Sequence, residues 1–89
     1  MPTSKTGVDG GIASYTFKNG DKYIGNWADF KMDGFGVLTY SDSINHRYQG
    51  QWKDNLKHGQ GKEFFSDGSV FEGTLSYGKK KGFGTFRWK

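Results

Sequence analysis

Tyr48-Gln49-Gly50-Gln51-Trp52, followed after six residues by Gly59-Gln60-Gly61, is the stretch whose reading decides the fold. Side chains on a strand alternate between faces, so Tyr48, Gly50 and Trp52 share one face. The same holds for Gly59 and Gly61. Set antiparallel, the bare glycine backbones leave room for the neighbouring rings to lie across them, a packing that a Cβ would obstruct. Rings laid over glycine thus take the place of an aliphatic core.

The frame recurs with a period of about 23 residues. A first copy reads Tyr23-Ile24-Gly25-Asn26-Trp27, six residues, then Gly34-Phe35-Gly36. A third reads Phe71-Glu72-Gly73-Thr74-Leu75, six residues, then Gly82-Phe83-Gly84, with Tyr and Trp softened to Phe and Leu. Each copy places an aromatic four residues beyond its last frame glycine: Tyr40, Phe65 and Trp88. One period upstream, Gly11, Ala13 and Phe17 form a degenerate half-unit.

These spacings predict an all-β fold: an elongated, single-layer antiparallel sheet of tandem β-hairpins, with strands near 12–18, 22–27, 35–41, 47–52, 60–65, 70–75 and 83–88. Residues 1–9 read as a flexible tail. Residues 10–89 read as the repeat domain, divided into a half repeat 10–22 and repeats 23–47, 48–70 and 71–89. Lys18-Asn19-Gly20-Asp21 and Ser66-Asp67-Gly68-Ser69 carry the Asn-Gly and Asp-Gly signals of tight type I′ turns. The corresponding link from Ser41 to Arg47 is two residues longer, lacks glycine and is expected to bulge outward.

Composition agrees. In 89 residues there are 15 glycines and 18% aromatics, so rings carry the apolar surface of one small domain. Proline occurs only at Pro2, and no long helical periodicity survives the glycines. The absence of cysteine excludes disulfides and thiolate metal sites. No stretch approaches the roughly 20 apolar residues of a helical membrane span. The N-terminus lacks an apolar leader segment and the chain lacks an Asn-x-Ser/Thr acceptor, which argues for a cytoplasmic rather than a secreted protein. The net charge of +4 arises entirely after residue 48, where eight basic residues face four acidic ones.

The frame Tyr-x-Gly-x-Trp, six residues, Gly-x-Gly resembles the MORN (membrane occupation and recognition nexus) repeat over residues 11–88. The resemblance implies a twisted sheet of stacked hairpins with a grooved aromatic face that docks proteins, used in cytoskeletal, ciliary and membrane-junction scaffolds and as accessory domains of enzymes. The family usually has glycine seven positions after the leading Tyr, where this chain has Phe30, Asn55 and Gly78. Phe tolerates a positive φ poorly, so the loop from Ala28 to Asp33 is expected to take another conformation and expose Phe30.

The expected docking groove is lined by Tyr23, Trp27, Tyr40, Tyr48, Trp52, Phe65, Phe71 and Trp88. Taken singly, each ring is also explained by packing against its neighbours. Taken together, a contiguous apolar face without a second layer points to a protein partner, either a helix or an extended segment. Self-association through the final edge, Phe83 to Lys89, is a further possibility. Lys79, Lys80 and Lys81, with Lys57, Arg87 and Lys89, form a candidate patch for an acidic partner or anionic lipid, unless the run is merely a solvated loop tip. A regulatory piece of a larger enzyme is another open reading.

Nucleic acid is disfavoured, because the repeat itself explains why aromatics alternate with basic residues. His46 and His58 lie in different loops and are expected to face solvent, without partners for metal binding or nucleophilic catalysis; the resemblance gives His58 a turn role. The Gly-x-Gly pairs open no helix and so are not phosphate loops. Asp29 and Asp33 lack the spacing of a calcium loop. No catalytic residue, metal or cofactor is expected.

Overall fold

The computed structural model describes residues 11–89, and the tail expected over residues 1–9 lies outside them. Seven strands form one sheet in chain order, every neighbouring pair antiparallel. They are β1 (Ile12–Thr16), β2 (Lys22–Ala28), β3 (Lys31–Thr39), β4 (Arg47–Lys53), β5 (Leu56–Phe64), β6 (Val70–Ser76) and β7 (Lys79–Arg87). The sheet is the all-β hairpin array read from the sequence, and it extends 38 × 27 × 16 Å.

β3, β5 and β7 begin at residues 31, 56 and 79, four residues ahead of their expected starts. The six-residue intervals are not loops. Each hairpin closes in two residues that both take positive φ: Asp29 and Phe30 (51° and 61°), Asp54 and Asn55 (50° and 70°), Tyr77 and Gly78 (46° and 90°). This is the type I′ geometry whose twist matches that of the strands. Phe30 therefore adopts the family's turn, contrary to expectation, while its side chain is exposed as expected.

The following hairpin reinforces the first of these turns. Asn55 donates its N–H to the Met32 carbonyl at 3.0 Å, and its Oδ1 accepts the Met32 N–H at 2.8 Å. Gly78 repeats the pattern by donating to the Lys57 carbonyl at 2.7 Å. After each turn the returning strand bulges; in the first two units three residues oppose one, with Asp33, Gly34 and Phe35 set against Asn26. The bulge re-aims the strand and increases its twist.

The Asn-Gly and Asp-Gly links also differ in type from expectation. Only Gly20 and Gly68 have positive φ there, at 100° and 93°. Phe17 accepts from the Gly20 N–H at 2.9 Å and donates to the Asp21 carbonyl at 2.7 Å, and Phe65, Gly68 and Ser69 repeat this pattern. The turn is a type I turn with its glycine in a G1 bulge, because the ladder closes with three residues between its ends rather than two. The longer link closes through the Tyr40 N–H and the His46 carbonyl at 2.9 Å, leaving exposed Ser41 to Asn45 looped outward as expected.

Register decides where the core sits. Ala13, Gly25, Gly36, Gly50, Gly61, Gly73 and Gly84 stand opposite one another across all seven strands. This row is a trough of almost bare backbone, and rings are inlaid along it. A Cβ on Gly36 would run into the Tyr23 ring, and one on Gly61 into the Tyr48 ring. Tyr23, Trp27, Met32, Leu38, Tyr48, Trp52 and Leu75 make the buried cluster, all on this face. The opposite face leaves Ile12, Ile24 and Phe35 exposed.

Candidate docking surface

Two aromatic series cross the ring-bearing face, and they differ in exposure. One is an edge-to-face ladder with centroid separations of 4.9 Å (Phe17–Tyr15), 6.3 Å (Tyr15–Trp27), 5.1 Å (Trp27–Tyr23), 5.4 Å (Tyr23–Trp52) and 5.2 Å (Trp52–Tyr48). Such pairs each add about 0.5–1.5 kcal/mol beyond area burial. Hydrogen bonds lock the ladder. Trp27 Nε1–H donates to the Ala13 carbonyl at 3.0 Å and Trp52 Nε1–H to the Gly36 carbonyl at 3.1 Å, tying each unit to its predecessor. The Tyr23 and Tyr48 hydroxyls donate to the carbonyls of Asn26 and Gln51 at 2.9 and 3.1 Å.

The second series runs nearer the link end of the strands: Tyr40, His46, Phe65, Phe86 and Trp88, with successive centroids 4.1, 5.6, 5.8 and 4.5 Å apart. Its exposure rises along the row. Tyr40, His46 and Phe65 are half-buried, while Phe86 and Trp88 are 41% and 78% exposed. Every residue of β7 is exposed, and its outer edge has no neighbouring strand among the described residues.

The eight expected groove residues therefore divide. Tyr23, Trp27, Tyr48, Trp52 and Phe71 are buried and make up the packing of the array. Trp88, Tyr40 and Phe65 belong to the accessible row. Three further groups that alternation alone did not single out complete the site: His46, Glu63 and Phe86. The signal for them lay in register, since Glu63 and Phe86 occupy the inward position held by Leu38 in the first unit, and Lys57 that of Met32.

A charged chain is set into this row. His46 Nε2 lies 2.8 Å from Glu63 and Nδ1 3.1 Å from Asp42, while Lys57 Nζ meets the other Glu63 oxygen at 3.5 Å. Lys57 also lies over the Tyr40 and Tyr48 rings at 5.3 and 4.9 Å. Neither histidine is solvent-facing as expected, because both are half-buried by ring contacts; His58 lies 4.2 Å from Tyr77 and accepts its N–H at 3.1 Å, a turn role. Burial opposes a charge on His46, yet the hydrogen bonds to Glu63 and Asp42 outweigh it and raise its pKa above 6.5. The bond from His46 holds Asp42 below the usual carboxylate range. Burial pushes the Tyr48 hydroxyl up to about 12 and also raises Tyr40, with Glu63, Asp21 and Asp42 adding to the Tyr40 shift.

The lysine run lies in β7 rather than at a loop tip, and the strand divides it. Lys79 and Lys81 pair with Ser76 and Thr74, on the face away from the rings. Lys80 pairs with Leu75 and sits 4.9 Å from the Phe71 ring centre. Arg87 pairs with Val70, again on the far face. Lys89 folds against Gly68.

Register, glycine trough and inlaid rings define a tandem β-hairpin repeat protein with a one-sided aromatic face. The chain belongs to the MORN repeat family, whose model matches residues 23–43, 48–70 and 71–89. Such repeats are non-catalytic membrane- or protein-binding modules. Among curated proteins the chain is similar to Alsin of Rattus norvegicus, 33% identical over 94 aligned residues that cover 94% of this chain and 6% of that protein. Alsin of Mus musculus is likewise 33% identical, over 92 residues covering 92% and 6%. The human protein gives 33% over 92 residues, covering 92% and 5%. The chain thus spans only about 6% of the length of the relatives it matches.

Proposed function

We propose that this chain is a non-catalytic protein-docking module that receives a partner helix or extended segment along the row Tyr40, His46, Phe65, Phe86 and Trp88. One observation carries the reading: the row ends in two accessible rings, Phe86 in β7 and Trp88 just after it, and among the described residues β7 pairs on its β6 side only. An uncovered aromatic row beside unpaired backbone groups is the usual mark of an interaction surface. The row crosses from β3 to β7, four strand spacings of about 4.8 Å, or roughly 19 Å. A helix laid across the strands would match it with about three and a half turns. An extended segment would instead add to β7 by backbone pairing. The proposed setting is a cytoskeletal or ciliary assembly, a use that the family resemblance supports.

The test uses accessible rings, because truncating buried Trp27 or Trp52 would destabilise the array and confound a loss of binding with a loss of structure. Phe86→Ala/Trp88→Ala is expected to retain the wild-type circular dichroism spectrum and to lose at least about tenfold in affinity for a captured partner. Undiminished capture by the double variant would overturn the assignment of this face.

Contact with an anionic membrane is a second reading, favoured by the far face. Arg47, Lys62, Lys79, Lys81 and Arg87 project there, with Glu72 as the acidic counterpart. Sedimentation with anionic vesicles separates the two readings. Binding through this face falls with salt and with Lys79→Gln/Lys81→Gln, and is indifferent to Phe86 and Trp88.

A further inference from the structure

Three residues precede a leading ring by two positions and occupy equivalent sites: Asp21, His46 and Ser69. Their carbonyls accept the N–H groups of Phe17, Tyr40 and Phe65 respectively, so each stands just ahead of its strand beside one of these three equivalent aromatics. Only the second carries a ring. His46 fills the space between Tyr40 and Phe65, 4.1 Å from one ring and 5.6 Å from the other. In the first gap, Asp21 is too short to do the same. A hollow of about 390 Å³ remains there, lined by Phe17, Lys18, Asn19, Asp21 and Leu38.

Charge is also left over at this point. The His46 cation is matched by Glu63 and Asp42, and Glu63 by Lys57. The Asp21 carboxylate is met only by neutral donors among the described residues: Asn19 Nδ2 at 3.2 Å, the Ser41 N–H at 2.8 Å and the Ser41 hydroxyl at 3.0 Å. Asp21 also adds to the field that raises the Tyr40 hydroxyl. The hollow therefore joins an apolar floor, Leu38 and Phe17, to a carboxylate that no cation among the described residues pairs with, Lys18 standing on the rim.

From this we propose that the hollow beside Asp21 is a subsite for one planar cationic side chain, the guanidinium of an arginine carried by the partner protein. His46 is the internal precedent, a planar cation stacked on a ring and held by carboxylates in the next gap. Arginine is the partner residue that stays charged, stacks on ring faces and still offers donors in the plane to a carboxylate. Lys18, on the rim, opposes the guest and limits affinity. The subsite deepens the docking reading, since it extends the same row towards β1.

The subsite can be tested without the natural partner. The pentapeptide Ac-Gly-Gly-Arg-Gly-Gly-amide is titrated into the full chain while the Leu38 methyl and Asp21 amide NMR signals are followed. Versions with lysine, citrulline or phenylalanine in place of arginine serve as comparisons. Saturable shifts are expected with arginine and weaker ones with lysine (charged, not planar) and citrulline (planar, not charged). Asp21→Asn should weaken the arginine peptide about three- to fivefold, and Lys18→Gln should strengthen it. Asp21→His, which supplies a ring from within, should block it while the amide spectrum stays folded.

Equal response to lysine or citrulline, a stronger response to phenylalanine, or unimpaired binding by folded Asp21→His would each overturn the proposal. Peptide binding that fails while Phe86→Ala/Trp88→Ala still abolishes partner capture removes the subsite and leaves the docking reading standing. The converse result removes the docking row and leaves the subsite.

Discussion

His46 shows how one residue converts a structural position into a conditional one. Both its ring nitrogens face carboxylates, which only accept, so the geometry is that of the imidazolium. The groups around it are Asp42 on the link, Glu63 on β5 with Lys57 behind it, and Tyr40 just after β3. In the unfolded chain the imidazole has its ordinary pKa of 6.5, and folding raises it. The sign follows from linkage: the folded state binds the proton more tightly. The stabilisation is thus complete below pH 6.5 and is lost as pH rises through the raised folded value. The denaturation midpoint should accordingly be higher at about pH 5.5 than at about pH 8.5. Glu63→Gln should flatten this difference and lower the His46 pKa read by NMR, because burial then opposes the charge with less compensation. A His46 pKa that is unmoved by Glu63→Gln would show that the pair contributes nothing. Such a position was hard to read in the sequence, because Lys57 and Glu63 interrupt the apolar inward pattern and each alone resembles an ordinary surface charge.

At the scale of elements, the repeat made strand order, pairing and the glycine trough legible, because Tyr-x-Gly-x-Trp and Gly-x-Gly each imply one face and one kind of neighbour. Turn geometry was less legible. Spacing alone does not distinguish a six-residue loop from a two-residue turn followed by a bulge, and Phe30 obscured the turn by occupying a position where glycine is usual. Burial was the other difficulty: Tyr23, Trp27, Tyr48 and Trp52 line the expected groove in sequence but fill it in space. The third unit provides the test. Leu75 is buried and ends the edge-to-face ladder, with no indole to reach the Gly61 carbonyl as Trp52 reaches that of Gly36. Leu75→Trp should supply that donor and extend the ladder from Tyr48 for a gain of about 1 kcal/mol. A domain of this size would then melt roughly 4–8 °C higher. A fall in Tm instead would mean that Lys80 and Phe71 already fill the space, since overpacking destabilises.

Across the whole molecule, stability is distributed as in a one-dimensional array, where each strand is held by its immediate neighbours. The centre has the most support, because β2 and β4 contribute both Tyr and Trp and their indoles bond to the preceding unit. Among the described residues β1 and β7 each pair on one side only, and β7 in addition exposes every residue. Local opening should therefore cost least at β7 and most across β2 to β5. Amide hydrogen exchange is expected to show this gradient, with β7 exchanging well before β4. Trp52→Ala should accelerate exchange on both sides of its strand, because it removes the Gly36 bond and two ring contacts together. Trp88→Ala should accelerate exchange only near the last strand. The least stable element is thus the one that carries the proposed docking edge, so a bound partner should raise protection most in β7 and progressively less towards β4. Uniform protection across the sheet, or protection confined to β1, would instead show that the partner engages another part of the array.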